Sequence, residues 1–394
     1  MDRAIALEPT IGSIAQSARR TITIATIAFL TLIDLFAAQA ILPALAQAYD
    51  VSSAVMGLAV NACTFGMALA SIATALASAR IERRRGIVLS LCMLAIPTYL
   101  LGLAPDIATF SILRVLQGLC MAAAFSLTLA YLGENCASHA ASGAFAAYIA
   151  GNVASNLFGR LASAFLVEHL GLRGNFIALA LFNLLGAAFV LATIRAARAP
   201  AINYTLGEGF AGIRANLRRP EQRASYFIGF CILFAFIGVF TFVNFILARP
   251  PIALDAGAIG LVYLIFVPSL VTTPLAGRAA DMFGARRSIL AALGLAIAGL
   301  PLLLTTYLPL ILSGLALIGV GTFVAQAVTS GFVTTSARDN RGAASGLYLA
   351  SYFAGGLAGA ALLGPVFDRF GWGACVGGVS LALVAAGLAT RRLR

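Results

Sequence analysis

Twelve long apolar stretches constrain the fold of this chain more than any other feature. A helix that crosses a bilayer needs about 20 mostly apolar residues. Stretches of this kind follow one another at roughly 22–48, 54–79, 86–104, 107–132, 140–167, 174–194, 225–248, 257–280, 286–304, 307–334, 342–367 and 372–390. Only 10% of the residues are charged, against about 25% in soluble domains. The sequence therefore predicts an all-α membrane protein with twelve transmembrane helices.

Two basic loops about 200 residues apart repeat one pattern. The first is Ala75–Arg85, the second is Gly277–Arg287, and each lies between two apolar stretches. Three further positions recur at a constant offset of 200, since Tyr148, Gly159 and Gly171 correspond to Tyr348, Gly359 and Gly371. Such a repeat predicts two pseudo-symmetric six-helix bundles related by an axis along the membrane normal.

One long polar connection separates the halves. It predicts an N-terminal bundle at 1–195, a linker at 196–224 and a C-terminal bundle at 225–394. Apolar residues recur in the linker at helical spacing, at Leu206, Phe210, Ile213 and Leu217. This spacing favours an amphipathic helix on the membrane surface. The alternative is a flexible tether whose apolar stripe is accidental.

Arginine placement predicts the orientation. Alternate connections hold most of the basic residues, including the Arg80–Arg85 cluster, the Arg195–Arg223 segment and the Arg391–Arg394 tail. By the positive-inside rule both termini are expected in the cytoplasm. The net charge is +12, but the arginines are scattered in short loops and form no continuous stripe, so no nucleic acid partner is expected.

Ionisable residues inside a span are expensive and mark functional candidates. Asp34 is the one acidic residue deep in a predicted span. A carboxylate removed from water is destabilised, so Asp34 could take up and release a proton near neutral pH. Arg114 is a permanent positive charge that could pair with Asp34 and link protonation to conformation. The alternatives are a fixed structural pair and a structural tie between the first and fourth helices.

A polar face in the fifth predicted helix is a candidate solute site. Asn152, Asn156 and Arg160 are spaced at i, i+4 and i+8, so they are expected to line a central cavity and bind an anionic or polar solute. Alternatively, Arg160 lies nearer the periplasmic end and extends to the interface.

Other polar and aromatic residues within the spans are further candidates. The polar ones are Gln39, Asn61, Gln117, Asn244 and Gln326; the aromatic ones are Tyr148, Tyr263, Tyr348 and Tyr352. Each amide could instead form a structural bond between helices. The sequence contains no phosphate-binding loop, no metal-ligand cluster and no nucleophile–base pair. We therefore expect that the protein is not an enzyme and that it binds no cofactor or metal.

Two motifs carry a resemblance to a known family. The pattern Gly277…Asp281…Gly284-x-Arg286-Arg287 resembles the signature loop of the major facilitator superfamily of secondary transporters. Arg114-x-x-Gln117-Gly118 resembles the fourth-helix motif of its drug:proton antiporters. The resemblance covers the whole chain and is strongest to small bacterial drug or sugar efflux permeases. It implies alternating access in a bacterial inner membrane.

The resemblance also implies a conformational gate in both basic loops. Its residues would be Arg80, Glu82, Arg83 and Arg84 in the first loop, and Gly277, Asp281, Gly284, Arg286 and Arg287 in the second. Ala79 stands where the family has its aspartate, and Glu82 stands where it has its second glycine. Either Glu82 takes over the ion pairing, or the gate of the first half is weak.

The function expected from these features is proton-coupled efflux of a small organic solute or drug. One alternative is a proton symporter or uniporter that imports a sugar, organic acid or nucleoside. Another is a membrane sensor that transports nothing. The expected partners are the solute, protons and the lipid bilayer, and the expected functional unit is a monomer.

Overall fold

Helices account for nearly all of the chain that the structure describes. The computed structural model describes residues 11–77, 81–135, 138–194, 206–337 and 341–393. The α-helices are α1 Ile11–Ala40, α2 Leu42–Ala48, α3 Ser53–Ala77, α4 Arg83–Leu101, α5 Ile107–Asn135, α6 Ser138–Thr193, α7 Leu206–Arg218, α8 Pro220–Leu247, α9 Ala256–Val262, α10 Val267–Phe283, α11 Ala285–Gly299, α12 Leu308–Ser336 and α13 Arg341–Ala389. Short 3₁₀ turns follow α9, α11 and α13.

Two of the helices fold back on a single glycine. Among the described residues, ten helical segments are long and apolar enough to cross a bilayer, and two of these have 46 and 52 residues. The first long segment contains Gly171 at φ 69° and ψ 179°, and the second contains Gly371 at φ 80° and ψ −175°. Such φ values favour glycine because it has no Cβ. Each long segment is therefore two spans, which confirms the predicted twelve.

The twelve spans form two six-helix bundles, with α1–α6 in one and α8–α13 in the other. The described ends of successive spans alternate between two ends of the molecule. We call the end with Arg83, α7 and Arg392 the linker side, and the end with Gly171, Gly371 and the 248–255 loop the far side. The domain bounds 1–195, 196–224 and 225–394 stay a prediction.

The outer surface of the spans is apolar, as their core is, while a few charged side chains are buried. Large apolar side chains face outward on the spans, such as Leu381 at 74% and Val271 at 65% exposure, while Asp34, Arg114 and Arg160 are almost completely buried. Without a bilayer, an apolar surface of this extent would be unstable in water. The exposed belt therefore faces lipid.

Close helix contacts hold the N-terminal bundle together. A Cβ built on Gly118 of α5 would lie 1.9 Å from the main-chain oxygen of Cys63 in α3, and one on Gly66 would lie 2.0 Å from that of Val115. The helices cross at these glycines, as is common in membrane bundles. This crossing carries Arg114 and Gln117 to the interior.

The linker helix α7 presents its apolar residues outward. Phe210 is 61% and Leu217 is 44% exposed, whereas Gly209, Gly212 and Asn216 on another face are buried. This arrangement is typical of a helix that lies on a membrane surface.

Candidate functional site

Asp34 lies at the centre of a hydrogen-bonded cluster inside the N-terminal bundle. It is 1% exposed and is the only buried carboxylate among the side chains that the structure describes. Its Oδ2 accepts hydrogen bonds from Thr98 Oγ1 at 2.7 Å, Asn183 Nδ2 at 2.8 Å and Gln117 Nε2 at 3.3 Å. Its Oδ1 is buried and has no hydrogen-bond partner. We call Asp34, Thr98, Arg114, Gln117 and Asn183 the Asp34 cluster.

Arg114 approaches Asp34 from the main-chain side. Its Nη1 donates to the main-chain oxygen of Asp34 at 3.2 Å and to Gln117 Oε1 at 2.6 Å. Its Nε donates to Val60 O at 2.8 Å, and its Nη2 contacts Cys63 Sγ at 3.0 Å. The guanidinium donates no hydrogen bond to the Asp34 carboxylate. The direct pair suggested by the sequence is thus replaced by a link through Gln117.

A second cluster joins the two bundles and is centred on Gln39, which is buried in α1. Gln39 Oε1 accepts from Arg160 Nη2 at 2.5 Å, and its Nε2 donates to Asn61 Oδ1 at 3.0 Å. Its main-chain oxygen accepts from Asn244 Nδ2 of the C-terminal bundle at 2.8 Å. Tyr263 OH donates to Asn244 Oδ1. We call Gln39, Asn61, Arg160, Asn244 and Tyr263 the Arg160 cluster.

A second bond between the bundles lies beside this cluster. Asn61 Nδ2 donates to Thr241 Oγ1 at 3.1 Å. Arg160 itself is completely buried, so it does not extend to the membrane surface.

Aromatic rings surround the Arg160 guanidinium. Its Cζ lies 4.1 Å from the ring centre of Tyr263, which is a cation–π distance. Four more rings lie within 5.5 to 6.0 Å, those of Phe36, Phe236, Phe240 and Phe266. The rings come from α1, α8 and the segment between α9 and α10. Both bundles therefore contribute to the environment of this one charge.

A central cavity between the bundles begins beside these rings. Its walls are formed by Leu32, Leu35, Phe36, Phe125, Asn152, Leu233, Phe236, Thr322, Phe323, Gln326, Leu349, Tyr352 and Phe353. Apolar and aromatic residues dominate, with a few polar groups, as is common for small-molecule sites. Of the predicted solute residues, Asn152, Gln326 and Tyr352 line this cavity.

The other predicted solute residues lie elsewhere. Gln117 belongs to the Asp34 cluster, and Gln39, Asn61 and Asn244 connect the bundles. Tyr148 OH donates to Phe125 O at 3.1 Å, and Tyr348 OH donates to Gln326 O at 3.4 Å. These two tyrosines thus bridge helices through equivalent bonds in the two halves.

Asn156 lies on the same helix face as Asn152 and Arg160. It is completely buried, and neither its Oδ1 nor its Nδ2 has a hydrogen-bond partner. Asn152 Oδ1 and the Nε and Nη1 atoms of Arg160 also lack partners. Buried polar groups are normally paired, so this stripe is suited to a polar ligand.

The two basic loops differ in their contacts. Glu82 caps α4, accepting from the main-chain nitrogens of Arg84 at 3.1 Å and Arg85 at 2.8 Å. Arg84 Nη2 donates to Leu191 O at 2.6 Å, and Arg83 Nη1 donates to Ile81 O at 3.2 Å. Arg80 and Ala79 lie outside the described residues.

In the second loop, Gly284 has a positive φ of 82° and ends α10, while a Cβ at Gly277 would meet no atom within 4 Å. Asp281, Arg286 and Arg287 are exposed and form no ion pair with any described residue. These three residues of the second loop therefore make no ion pair with the described chain, whereas Glu82 of the first loop pairs with Arg85 at 3.8 Å.

Thr98 and Asn183 of the Asp34 cluster, and Thr241 beside the Arg160 cluster, were not predicted from the sequence. Asn183 lies near the middle of the apolar stretch 174–194, where the only other amide is Asn175 at its start, so the argument applied to Asn61 could have found it. Thr98 and Thr241 gave no such signal because threonine is common in membrane helices, where its hydroxyl bonds the preceding turn. Within the described chain, no three His, Cys, Asp or Glu residues group closely enough to hold a metal ion.

Comparisons with known proteins agree with this architecture. The inner membrane transport protein YnfM of Escherichia coli (strain K12) is 26% identical over 382 residues, which cover 96% of this chain and 91% of that protein. The uncharacterized MFS-type transporter YybF of Bacillus subtilis (strain 168) is 26% identical over 306 residues, covering 76% of this chain and 75% of that protein.

Solved transporter structures share the fold. A bacterial homolog of the human lysosomal transporter Spinster, inward-facing and unoccupied, superimposes with a TM-score of 0.70 at 16% identity, over 95% of this chain and 97% of that one. The nucleoside transporter NupG superimposes with a TM-score of 0.72 at 11% identity, over 96% of this chain and all of that one. At such identities the likeness concerns the fold alone.

The family model of the Major Facilitator Superfamily matches residues 24–250, which is more than half of the chain and extends from the first helix into the second bundle. Members of this family move small molecules across membranes and are not enzymes. With its twelve spans, its two bundles and this match, the chain belongs to the Major Facilitator Superfamily of membrane transporters.

Proposed function

We propose that this transporter exports a small organic solute in exchange for protons, and that Asp34 is the group that carries the proton. The observation that carries the proposal is the buried carboxylate of Asp34, which has donors on one oxygen and none on the other. An intramembrane acid of this kind is a proton-relay candidate. When Asp34 is protonated, its Oδ1 could donate a hydrogen bond. When Asp34 is ionised, its Oδ2 still accepts the three hydrogen bonds from Thr98, Gln117 and Asn183.

The Asp34 cluster can convert proton movement into helix movement. Its members come from four spans, since Asp34 lies on α1, Thr98 on α4, Gln117 on α5 and Asn183 on the second half of α6. Gaining or losing charge at Asp34 changes the strength of bonds to all three neighbours. Protonation therefore biases the packing of α1 against the remaining helices.

Helix α1 then connects the proton site to the solute path. Asp34 faces the interior of its own bundle, while Leu32, Leu35 and Phe36 line the central cavity and Gln39 bonds to the other bundle. A shift of α1 would disturb the cavity wall and the contact between bundles together. This is the coupling that alternating access requires.

The proposal includes the cellular setting. The arginine-rich linker side faces the cytoplasm, so both termini are cytoplasmic, and the protein acts as a monomer in the inner membrane. The gate residues Arg80, Glu82, Arg83, Arg84, Asp281, Arg286 and Arg287 would rearrange as the transporter changes between its two states.

Everted membrane vesicles containing the full chain test the proposal. The vesicles are acidified inside by respiration, and a dye reports their internal pH while ethidium, arabinose or 4-hydroxybenzoate is added. Antiport predicts that a transported solute releases protons from wild-type vesicles. Asp34→Asn should abolish the release and leave solute binding intact. Asp50→Asn is the matched control, because Asp50 is exposed and its φ of 51° suits asparagine.

Other outcomes would contradict the proposal in distinct ways. Proton movement in the same direction as the solute would identify symport. Solute accumulation that ignores the pH gradient would identify a uniporter. Antiport that survives in Asp34→Asn would remove Asp34 from the coupling step.

A further inference from the structure

Arg160 is a buried positive charge without an anion. Its Nη2 donates to the neutral amide of Gln39, and its Nε and Nη1 have no hydrogen-bond partner. No carboxylate of the described chain forms an ion pair with it, and Asp34 is engaged with Thr98, Gln117 and Asn183 instead. A buried charge is costly unless it is paired. Pairing with a negatively charged group would therefore stabilise Arg160.

We infer that Arg160 binds the carboxylate of the transported solute, and that this solute is an organic monoanion with an apolar or aromatic body. The inference rests on the proposed function, because it assumes that the solute passes through the central cavity. It adds the chemical class of the solute, which the proton site alone does not define.

The position of Arg160 supports this role. Phe36 and Phe236 belong both to the cavity wall and to the rings around the guanidinium. The cavity therefore ends at the aromatic surroundings of Arg160. These two rings therefore border both the cavity and the charge.

A stripe of unpaired polar groups connects the cavity to Arg160. Asn152 lines the cavity, and Asn156 and Arg160 follow at successive turns of α6 on the same face. All three have buried side-chain atoms without hydrogen-bond partners. The amides can bond a polar substituent of the solute, while the guanidinium binds its charge.

The surroundings select the charge and shape of the ligand. A cation would be repelled by Arg160, and a dianion would leave one of its charges unpaired among apolar rings. Because Tyr263 covers the guanidinium at 4.1 Å, the free N–H groups point outward from the guanidinium edges, where a planar carboxylate can accept them. The aromatic walls match an apolar body attached to that carboxylate.

Binding to the detergent-purified full chain tests the inference without a proton gradient. The probes are benzoate, 4-hydroxybenzoate, 1-naphthoate and octanoate, each compared with its uncharged primary amide by isothermal titration. We expect the wild type to bind at least one acid about tenfold or more tightly than the matching amide, as one charge-assisted bond would give. If no acid binds better than its amide, the inference is wrong.

Variants of Arg160 locate the effect. Arg160→Gln should bind the acid and the amide equally, and Arg160→Lys should keep part of the preference because it retains the charge without the planar geometry. Arg369→Gln is the matched control, since Arg369 is exposed on the far side. An acid preference that persists in Arg160→Gln would overturn the assignment. If the glutamine variant does not fold, the lysine variant and the wild-type comparison still decide.

This test separates the two proposals. Asp34→Asn should retain the acid preference, because Asp34 lies outside the cavity wall. Acid binding without proton-linked transport would contradict the proposed function and support the role of Arg160. Proton-linked transport of uncharged or cationic solutes alone would support the proposed function and contradict the role of Arg160.

Discussion

Gln117 stands between Arg114 and Asp34 and bonds to both. Its Oε1 accepts from the guanidinium at 2.6 Å, and its Nε2 donates to the carboxylate at 3.3 Å. It also donates to Thr98 Oγ1 at 2.7 Å. Because arginine keeps its proton under all physiological conditions, the fixed charge acts on the carboxylate through a neutral amide whose orientation it determines.

Replacing Gln117 should remove the link between the Arg114 guanidinium and the Asp34 carboxylate. In Gln117→Leu, the carboxylate loses one donor and the guanidinium loses an acceptor, while side-chain size is nearly kept. We expect the pH dependence of transport to shift by about one to two pH units, since a lost bond to a charged group is worth about 1.5 to 3 kcal/mol. Transport rates in proteoliposomes between pH 5 and pH 9 measure the shift.

The control for this change is Gln47→Leu, because Gln47 is exposed near the end of α2. Its pH profile should match that of the wild type. An unchanged profile in Gln117→Leu would mean that Gln117 only fills space between the helices.

The crossing of α3 and α5 should not tolerate any side chain at Gly118. An alanine Cβ would lie 1.9 Å from Cys63 O, so the main chains must separate. Overpacking of this kind costs about 1 to 3 kcal/mol or more, and Gly118→Ala should lower the melting temperature in detergent. Gly294→Ala is the comparison, because nothing lies within 4 Å of that position and alanine favours the helix. Equal melting temperatures for the two variants would contradict the crossing.

Asp106 caps the start of α5 and gives a testable pH effect. Thr109 N donates to its Oδ1 at 2.8 Å and Thr109 Oγ1 to its Oδ2 at 3.0 Å, and these bonds, that of the main-chain nitrogen first, lower the pKa of Asp106. A lowered folded pKa means stabilisation that is present at neutral pH and lost as pH falls below about 4. Asp106→Ala should therefore melt below the wild type at pH 7, and the difference should be smaller near pH 3.

The comparison for Asp106 is Asp281→Ala, which removes an exposed carboxylate without a described ion pair. Thermal melts of this variant should follow the wild type at both pH values. A gap between Asp106→Ala and the wild type that stays constant from pH 7 to pH 3 would show that the cap depends on something other than the ionised carboxylate.

The apolar face of α7 should lie in lipid. A fluorophore attached at Phe210→Cys should be quenched more strongly by spin-labelled lipids than one at Ala215→Cys, because residue 215 lies on another side of the same helix. Fluorescence in proteoliposomes gives the ratio. Equal quenching at the two positions would favour the flexible tether over the surface helix.

Hydropathy was sufficient to locate the spans. Their length is set by the bilayer, so the predicted 307–334 and the observed Leu308–Ser336 agree closely. The repeat also predicted which glycines correspond, and the structure places Gly171 and Gly371 at equivalent helix breaks. The length of a span and the position of a helix break depend on a short stretch of sequence, so both can be predicted from that stretch.

The contacts between spans were harder to predict from the sequence. Asp34, Arg114 and Gln117 could be selected one by one because each is costly in lipid. Thr98 could not, since its hydroxyl also bonds Leu94 O at 2.8 Å, as an ordinary helical threonine does. Which side chains meet depends on how one helix is rotated and shifted along its axis relative to its neighbour. Hydropathy gives no information on either.

The turns at Gly171 and Gly371 also bear on the history of the gene. Repeated halves usually diverge in length where loops absorb insertions and deletions. Here the offset of 200 holds from Tyr148 to Gly171, and the reversal at its end occupies one residue. One codon gained or lost in that stretch would rotate everything before the turn by about 100°. Between Tyr148 and Gly171 the two copies therefore differ in many side chains but not in length.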